Sequence, residues 1–151
     1  MRPGFLTNMS ESPNRLVVYG TLRPTFSNPF ANYLYQHSHR IGETTFPGLL
    51  FDLMLPDTAD YPGAIYQLGA ITTVTGTVYD ISRHKSSTLA YLDNYEGVGA
   101  AFDQPNEYVR AVIPVRYCND VIVCWVYLYS LSTDGLPVIA SGDYGRYSRN
   151  E

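Results

Sequence analysis

The chain has 151 residues, 45% hydrophobic and 16% charged, which excludes a disordered polymer and suits one domain with a core of its own. A formal net charge of −4 excludes a general grip on nucleic acid, which needs a basic face to displace counterions. No apolar run approaches the ~18–20 residues that span a bilayer, so no membrane partner is expected. The opening stretch, MRPGFLTNMSESPN, lacks the apolar centre of a secretion signal; residues 1–14 read as a flexible tail and 15–151 as a single domain. The expected location is cytoplasmic, where Cys118 and Cys124 are free thiols. Fourteen tyrosines favour pleated, half-buried surfaces, so strands should dominate.

In chain order, residues 15–19 (RLVVY) predict a short buried strand that runs into Gly20, Thr21 and Leu22 rather than a solvated Asn/Asp/Ser turn. Ser27, Asn28 and Pro29 give a helix start, with Phe30, Tyr33 and Leu34 facing inward and an end near His37. Residues 38–53 predict a strand or a pair of strands broken at Pro47–Gly48. Tyr61-Pro62-Gly63 predicts a turn, followed by a short apolar segment, 64–68. Residues 72–81 (TTVTGTVYDI) predict a strand in which Gly76 marks a bulge or a close backbone approach. Ser82 is the expected cap of a second helix over about 83–94, with Leu89 and Leu92 inward and Gly97 as its stop.

Residues 108–117 and 121–129 form the clearest element, a hairpin about Asn119–Asp120. That turn puts Cys118 opposite Val121, Val115 opposite Cys124 and Arg110 opposite Tyr129. One face then carries Val109, Ala111, Ile113, Val115 and Tyr117 against Ile122, Cys124, Val126 and Leu128, an apolar set that belongs to the core. Many strands and two helices predict an α+β fold with the strands curled into a small barrel.

Glu96 is the first candidate for chemistry. It sits at the C-terminal end of the second predicted helix, where carbonyl dipoles disfavour an anion and half-burial beside Tyr95 is expected, so its pKa should be raised toward the range of a group that takes and returns a proton. The alternative is a solvated glutamate beside a glycine stop. Tyr19–Leu22 can leave successive backbone N–H groups unpaired as an oxyanion-binding nest; the alternative is an ordinary strand-to-helix turn. A nucleotide P-loop is excluded because no Gly-Lys-Ser or Gly-Lys-Thr follows. His37 and His39 diverge if extended, His84 stands alone, and no cysteine pair has zinc spacing, so no metal is expected. Thr21 has no local His-Asp pattern to make it a nucleophile, and Arg110 suits either a carboxylate clamp or a structural ion pair.

The stretches VYGTLRP, YPG (61–63), TGTVYDI (75–81), LDNYEG (92–97), EYVR (107–110) and SGDY (141–144) together resemble the γ-glutamylcyclotransferase-like family, in particular its γ-glutamylamine cyclotransferase branch. The resemblance covers roughly residues 15–145. It implies a small mixed β-barrel flanked by short helices. It also implies a γ-glutamyl substrate bound by the backbone of Tyr19, Gly20, Thr21 and Leu22, with Glu96 as the catalytic acid/base. Its chemistry would be the release of an amine from a γ-glutamyl amide with closure to 5-oxoproline, without metal or cofactor. Tyr108 or Tyr144 is expected at the pocket wall. Pro24-Thr25-Phe26 departs from the glycine-bearing continuation common in the family. A non-catalytic module that binds a small molecule in the same pocket is the alternative function.

Overall fold

The computed structural model describes residues 12–24, 26, 28–54 and 62–149. Strand β1 (Arg15–Val18) is buried from Leu16 onward, because it is covered on both faces. Val17 joins the core inside the barrel, while Leu16 and Val18 join a second core under the helices. A strand covered on both sides has no polar face, hence the unbroken apolar run. It pairs antiparallel with β4 (Thr73–Asp80) and parallel with β6 (Asp120–Tyr129), with Leu16 opposite Trp125.

Helix α1 (Pro29–His37) starts as the sequence predicts: Asn28 accepts from the N–H groups of Phe30 and Ala31, and Pro29 fills the first turn, where its missing donor costs nothing. Strand β2 (His39–Asp52) is one continuous strand and is not broken at Pro47–Gly48. It pairs with β4 as far as Pro47↔Thr73, then with β3 (Pro62–Tyr66) from Gly48↔Tyr66 onward. Proline and glycine mark the exchange of partners: at Gly48 a Cβ would lie 2.0 Å from the Ile65 carbonyl oxygen. Pro62–Gly63 opens β3 instead of forming a turn; Tyr61 lies outside the described residues.

Ser82 is not a helix cap. Asp80 accepts from the Ser82 N–H and diverts the chain into a 3₁₀ turn (Ser82–His84), so α2 (Lys85–Glu96) starts at Lys85 without a side-chain cap. Leu89 and Leu92 face inward as predicted. The two helices meet through stacked rings, Phe30 on Tyr95 at 4.0 Å and Tyr33 on Tyr91 at 3.9 Å.

The hairpin of β5 (Tyr108–Tyr117) and β6 turns at Cys118–Asn119, with Tyr117 opposite Asp120, one residue earlier than the sequence suggests. Ile113 therefore lies opposite Cys124, and Arg110 opposite Tyr127. Asp93 accounts for the difference: it accepts from both the Arg110 guanidinium and the Tyr127 hydroxyl, which requires those two side by side. Because the pairing shifts by two residues, an even number, the alternation is kept and Ile113, Val115, Cys124 and Val126 are buried together, whereas Val109, predicted on that face, is exposed. Cys118 is exposed and Cys124 buried, both as free thiols.

The strands follow the order β3-β2-β4-β1-β6-β5, and Thr45↔Arg116 joins β2 to β5, closing a five-strand mixed barrel with β3 alongside. The fold is α+β, a small mixed β-barrel flanked by short helices. A last helix, α3 (Tyr144–Arg149), brings Tyr144 into the barrel core, stacked on Phe26. Ser12–Asn14 lie against the barrel: the Trp125 indole donates to Pro13 and the Ile81 N–H to Asn14. No described helix is long and apolar enough to cross a membrane.

Gly76 is a close approach, as predicted. A Cβ there would sit 2.7 Å from Val17 Cγ2 and 2.9 Å from the Val18 carbonyl oxygen. Overpacking at such a site costs about 1–3 kcal/mol. Gly76→Ala should lower the urea midpoint accordingly with an unchanged m value, whereas trimming the fully exposed Ile71 to alanine should leave it within about 0.5 kcal/mol.

Candidate active site

The carboxyl ends of the parallel pair β1 and β6, the start of β5 and the end of α2 converge on one cavity of about 120 Å³. Its walls include Tyr19–Leu22, Pro62, Tyr95, Glu96, Glu107, Tyr108 and Tyr127. Tyr19, Gly20, Thr21, Leu22, Glu96 and Tyr108, separate in the sequence reading, thus share one space. Tyr144 lies elsewhere, in the barrel core.

The loop after β1 is built to turn its amides outward from the sheet ladder. The Gly20 carbonyl accepts from Arg23 N–H at 3.1 Å, and the Thr21 carbonyl accepts from the Asn28 side chain at 3.0 Å. Among the described residues, no acceptor meets the N–H groups of Gly20, Thr21 or Leu22. Gly20 is held against Pro62, whose ring a Cβ would meet at 3.1 Å. The Leu22 side chain is buried with the helices and nails the loop down, so a ligand can meet only its backbone. Thr21 Oγ1 shares a hydrogen bond with the Tyr95 hydroxyl at 3.0 Å, and among the described residues no histidine or carboxylate is hydrogen-bonded to it as a base.

Arg23 anchors this loop from behind. Its buried guanidinium pairs with Glu43 at 2.6 Å and with Asp143 at 2.8 Å, and it reaches the Thr77 hydroxyl at 3.4 Å. Burial alone would raise the Glu43 carboxyl, but the Thr77 hydroxyl, Arg23 and Arg40 outweigh it and hold the group below its ordinary value. The sequence stretches around Arg23 and Asp143, far apart in the chain, meet in this clamp.

The tyrosines are committed to structure. Tyr19 donates to the Tyr127 carbonyl at 2.7 Å and accepts from the Ala64 N–H at 3.1 Å. Tyr108 donates to the Pro62 carbonyl at 2.7 Å, and Tyr127 to Asp93 at 2.7 Å. Burial pushes the Tyr19 and Tyr127 phenols far up, so they stay neutral. Arg110 resolves as a structural ion pair: it holds Asp93 through two hydrogen bonds, at 2.8 and 3.2 Å, and lies over the Trp125 ring at 4.4 Å.

Glu96 ends α2. Gly97 follows in the left-handed region at φ 72°, and the N–H groups of Gly97 and Val98 close on the carbonyls of Asn94 and Asp93. The Glu96 carboxyl is pushed up to about 8, first by burial and then by the charge of Glu107. The direction matches the sequence argument, and of its two causes burial is the one that acts, while the Asn94 and Asp93 carbonyls at the helix end are capped. Glu107, which sequence reasoning missed as a cavity residue, is likewise raised by burial. Nothing local marks it: an irregular loop separates it from Glu96, and only the folded barrel brings the two to one wall. Among the described residues no group of His, Cys, Asp or Glu is placed to hold a metal ion.

A family model described as gamma-glutamyl cyclotransferase, AIG2-like, matches residues 16–146. The Escherichia coli K12 protein named gamma-glutamylcyclotransferase family protein YtfP is 32% identical over 130 residues, covering 86% of this chain and 95% of that one. The solution structure of Escherichia coli ytfP superposes with a TM-score of 0.60 at 27% identity, over 91% of this chain and 99% of that one. A mouse AIG2-like protein shares the fold with a TM-score of 0.63 at 23% identity, over 86% and 88% of the two chains. The matched span takes in the amide loop, both cavity carboxylates and the Arg23–Asp143 clamp, and on it the chain belongs to the gamma-glutamyl cyclotransferase, AIG2-like family.

Proposed function

We propose that this protein is a cyclotransferase that releases an amine or amino acid from a γ-glutamyl amide and forms 5-oxoproline. The observation that carries the reading is the pairing, across one small cavity, of an unpartnered, pKa-raised Glu96 with the unpaired amides of Gly20–Leu22. The substrate supplies its own nucleophile. Glu96, as carboxylate, takes a proton from the α-ammonium; the freed amine attacks the γ-carbonyl, forming the new C–N bond. The loop amides receive the oxyanion. As the intermediate collapses, the old C–N bond breaks and Glu96 returns that proton to the departing nitrogen; a carboxylate again, it then takes the second proton from the ring nitrogen and passes it on, so the amine leaves as its ammonium, carrying the charge of the original α-ammonium. No water is consumed. Folding the substrate so that amine and carbonyl touch supplies much of the rate, since well-oriented intramolecular attack reaches effective molarities of about 10⁵ M or more.

Assayed against a panel of γ-glutamyl amides, the protein should release 5-oxoproline from at least one. Glu96→Gln should lower kcat by roughly 10²–10⁴-fold, the range of general acid–base catalysis, while ligand binding persists. Turnover that survives the substitution would remove Glu96 from the chemistry, and binding without turnover in the wild type would favour the non-catalytic module.

The raised carboxyl also leaves a stability signature. Ionising Glu96 works against the fold: its contribution is fully present below the unfolded glutamate pKa, ~4.3, and is lost as pH rises through about 8. Urea titrations should show Glu96→Gln gaining on wild type as pH climbs from 4 to 9, with little difference at the acid end. A variant that loses ground over that range would contradict a buried, raised carboxyl.

A further inference from the structure

Glu107 is left over by this mechanism. It precedes β5, with its backbone carbonyl fixed by the Ser130 N–H at 2.9 Å and the Ser130 hydroxyl at 3.2 Å. Its carboxylate lines the cavity, yet among the described residues it meets no hydrogen-bond donor and no cation. Other buried or half-buried carboxylates are matched: Asp52 by the Tyr147 hydroxyl, Asp80 by the Ser82 N–H, Asp93 by Arg110 and Tyr127, and Asp143 by Arg23. Glu96 and Glu107 stand apart from that pattern, and both face the same space. No lysine, arginine or histidine is among the residues lining it.

A half-buried carboxylate that faces a cavity and meets no donor among the described residues is placed to take a cationic partner from a ligand. Two carboxylates and a row of backbone N–H groups around one small space call for a ligand with a cationic group at one end and an electron-rich oxygen at the other. A γ-glutamyl head has both. A lone carboxylate would have to fix the ammonium in place, accept its proton and then carry that proton to the leaving nitrogen, three tasks with conflicting geometry. A second one relieves the conflict.

We propose that Glu107 is the ammonium-holding residue of the cavity: its carboxylate fixes the α-amino group of a γ-glutamyl substrate at the γ-carbonyl, leaving Glu96 to move the proton. The assignment rests on the cyclotransferase reading and adds the selection rule that an unmodified α-amine strengthens binding and does not serve only in attack. Partial burial pushes the Glu107 carboxyl up, which is consistent with a group whose charge is completed by a ligand.

The test uses the full chain carrying Glu96→Gln, so that ligands bind without turning over, and two probes measured by calorimetry. L-γ-glutamyl ethylamide carries the α-amine; glutaric acid monoethylamide is the same amide without it. Adding Glu107→Gln should weaken the first probe about 10- to 100-fold, the worth of a charge-assisted hydrogen bond, and the second by less than about threefold. Glu107→Asp, which keeps the charge on a shorter stem, should recover part of the loss. Equal losses for both probes, or no loss for the amine-bearing one, would overturn the role of Glu107 and leave the cyclotransferase reading standing. Failure of the amine-bearing probe to bind the Glu96→Gln protein at all would overturn that reading and the proposal with it, whereas weak or absent binding of the amine-free probe alone supports the α-amine contact.

Discussion

The buried guanidinium of Arg23 is the constraint on which the site depends. It lies behind the amide loop and gathers Glu43 from β2, Thr77 from β4 and Asp143 from the start of the last helix. Taking a guanidinium out of water is costly, and two carboxylates at hydrogen-bond distance compensate it only in one geometry. The clamp therefore specifies where the loop sits more than it adds to stability. With Arg23 fixed, its N–H holds the Gly20 carbonyl, and Asn28 holds the Thr21 carbonyl while also capping α1. Both carbonyls are occupied on the loop's own side, and the amides of Gly20–Leu22 are left as donors.

The opposite wall is organised by different means. A glycine cap ends α2 at Glu96, and the Phe30–Tyr95 stack with the Thr21–Tyr95 hydrogen bond ties that helix end to the loop. The phenols around the cavity are turned into struts: Tyr19 joins β1 to β3 and β6, Tyr108 joins β5 to β3, and Tyr127 joins β6 to α2. Burial suppresses the acidity of Tyr19 and Tyr127, and the hydrogen bonds of all three phenols are used, which leaves the two carboxylates and the backbone amides as the reactive inventory.

Much of the architecture was legible in the sequence because it follows from local rules. Asn28-Pro29 announces a helix start, the alternation of residues 108–129 sets both faces of the hairpin, and Gly76 flags a backbone contact. What was not legible depended on partners distant in the chain. Asp93, on a helix, fixes the hairpin register; β3 lets β2 run through Pro47–Gly48; Asp80 pre-empts Ser82. Within the site, Glu96 and the amide loop could be singled out from their positions at a helix end and a strand end. The convergence of Glu107 could not, since it is a product of barrel closure. The raised Glu96 carboxyl was foreseen from the helix end and from half-burial beside Tyr95; it arises from burial and from the charge of Glu107, which was not foreseen.

The proposed mechanism requires that the substrate's tethered amine, and not water, attack the γ-carbonyl. A cavity whose reactive groups are carboxylates and amides favours the tethered nucleophile by its entropic advantage, which amounts to several kcal/mol when the bound pose is near attack. Turnover of a γ-glutamyl amide in oxygen-18 water reports on this directly. The account predicts unlabelled 5-oxoproline, a free amine in equal amount, and no reaction when the α-amine is acylated. Labelled glutamate as the main product, or turnover of the blocked substrate, would contradict it and make the protein an amidase.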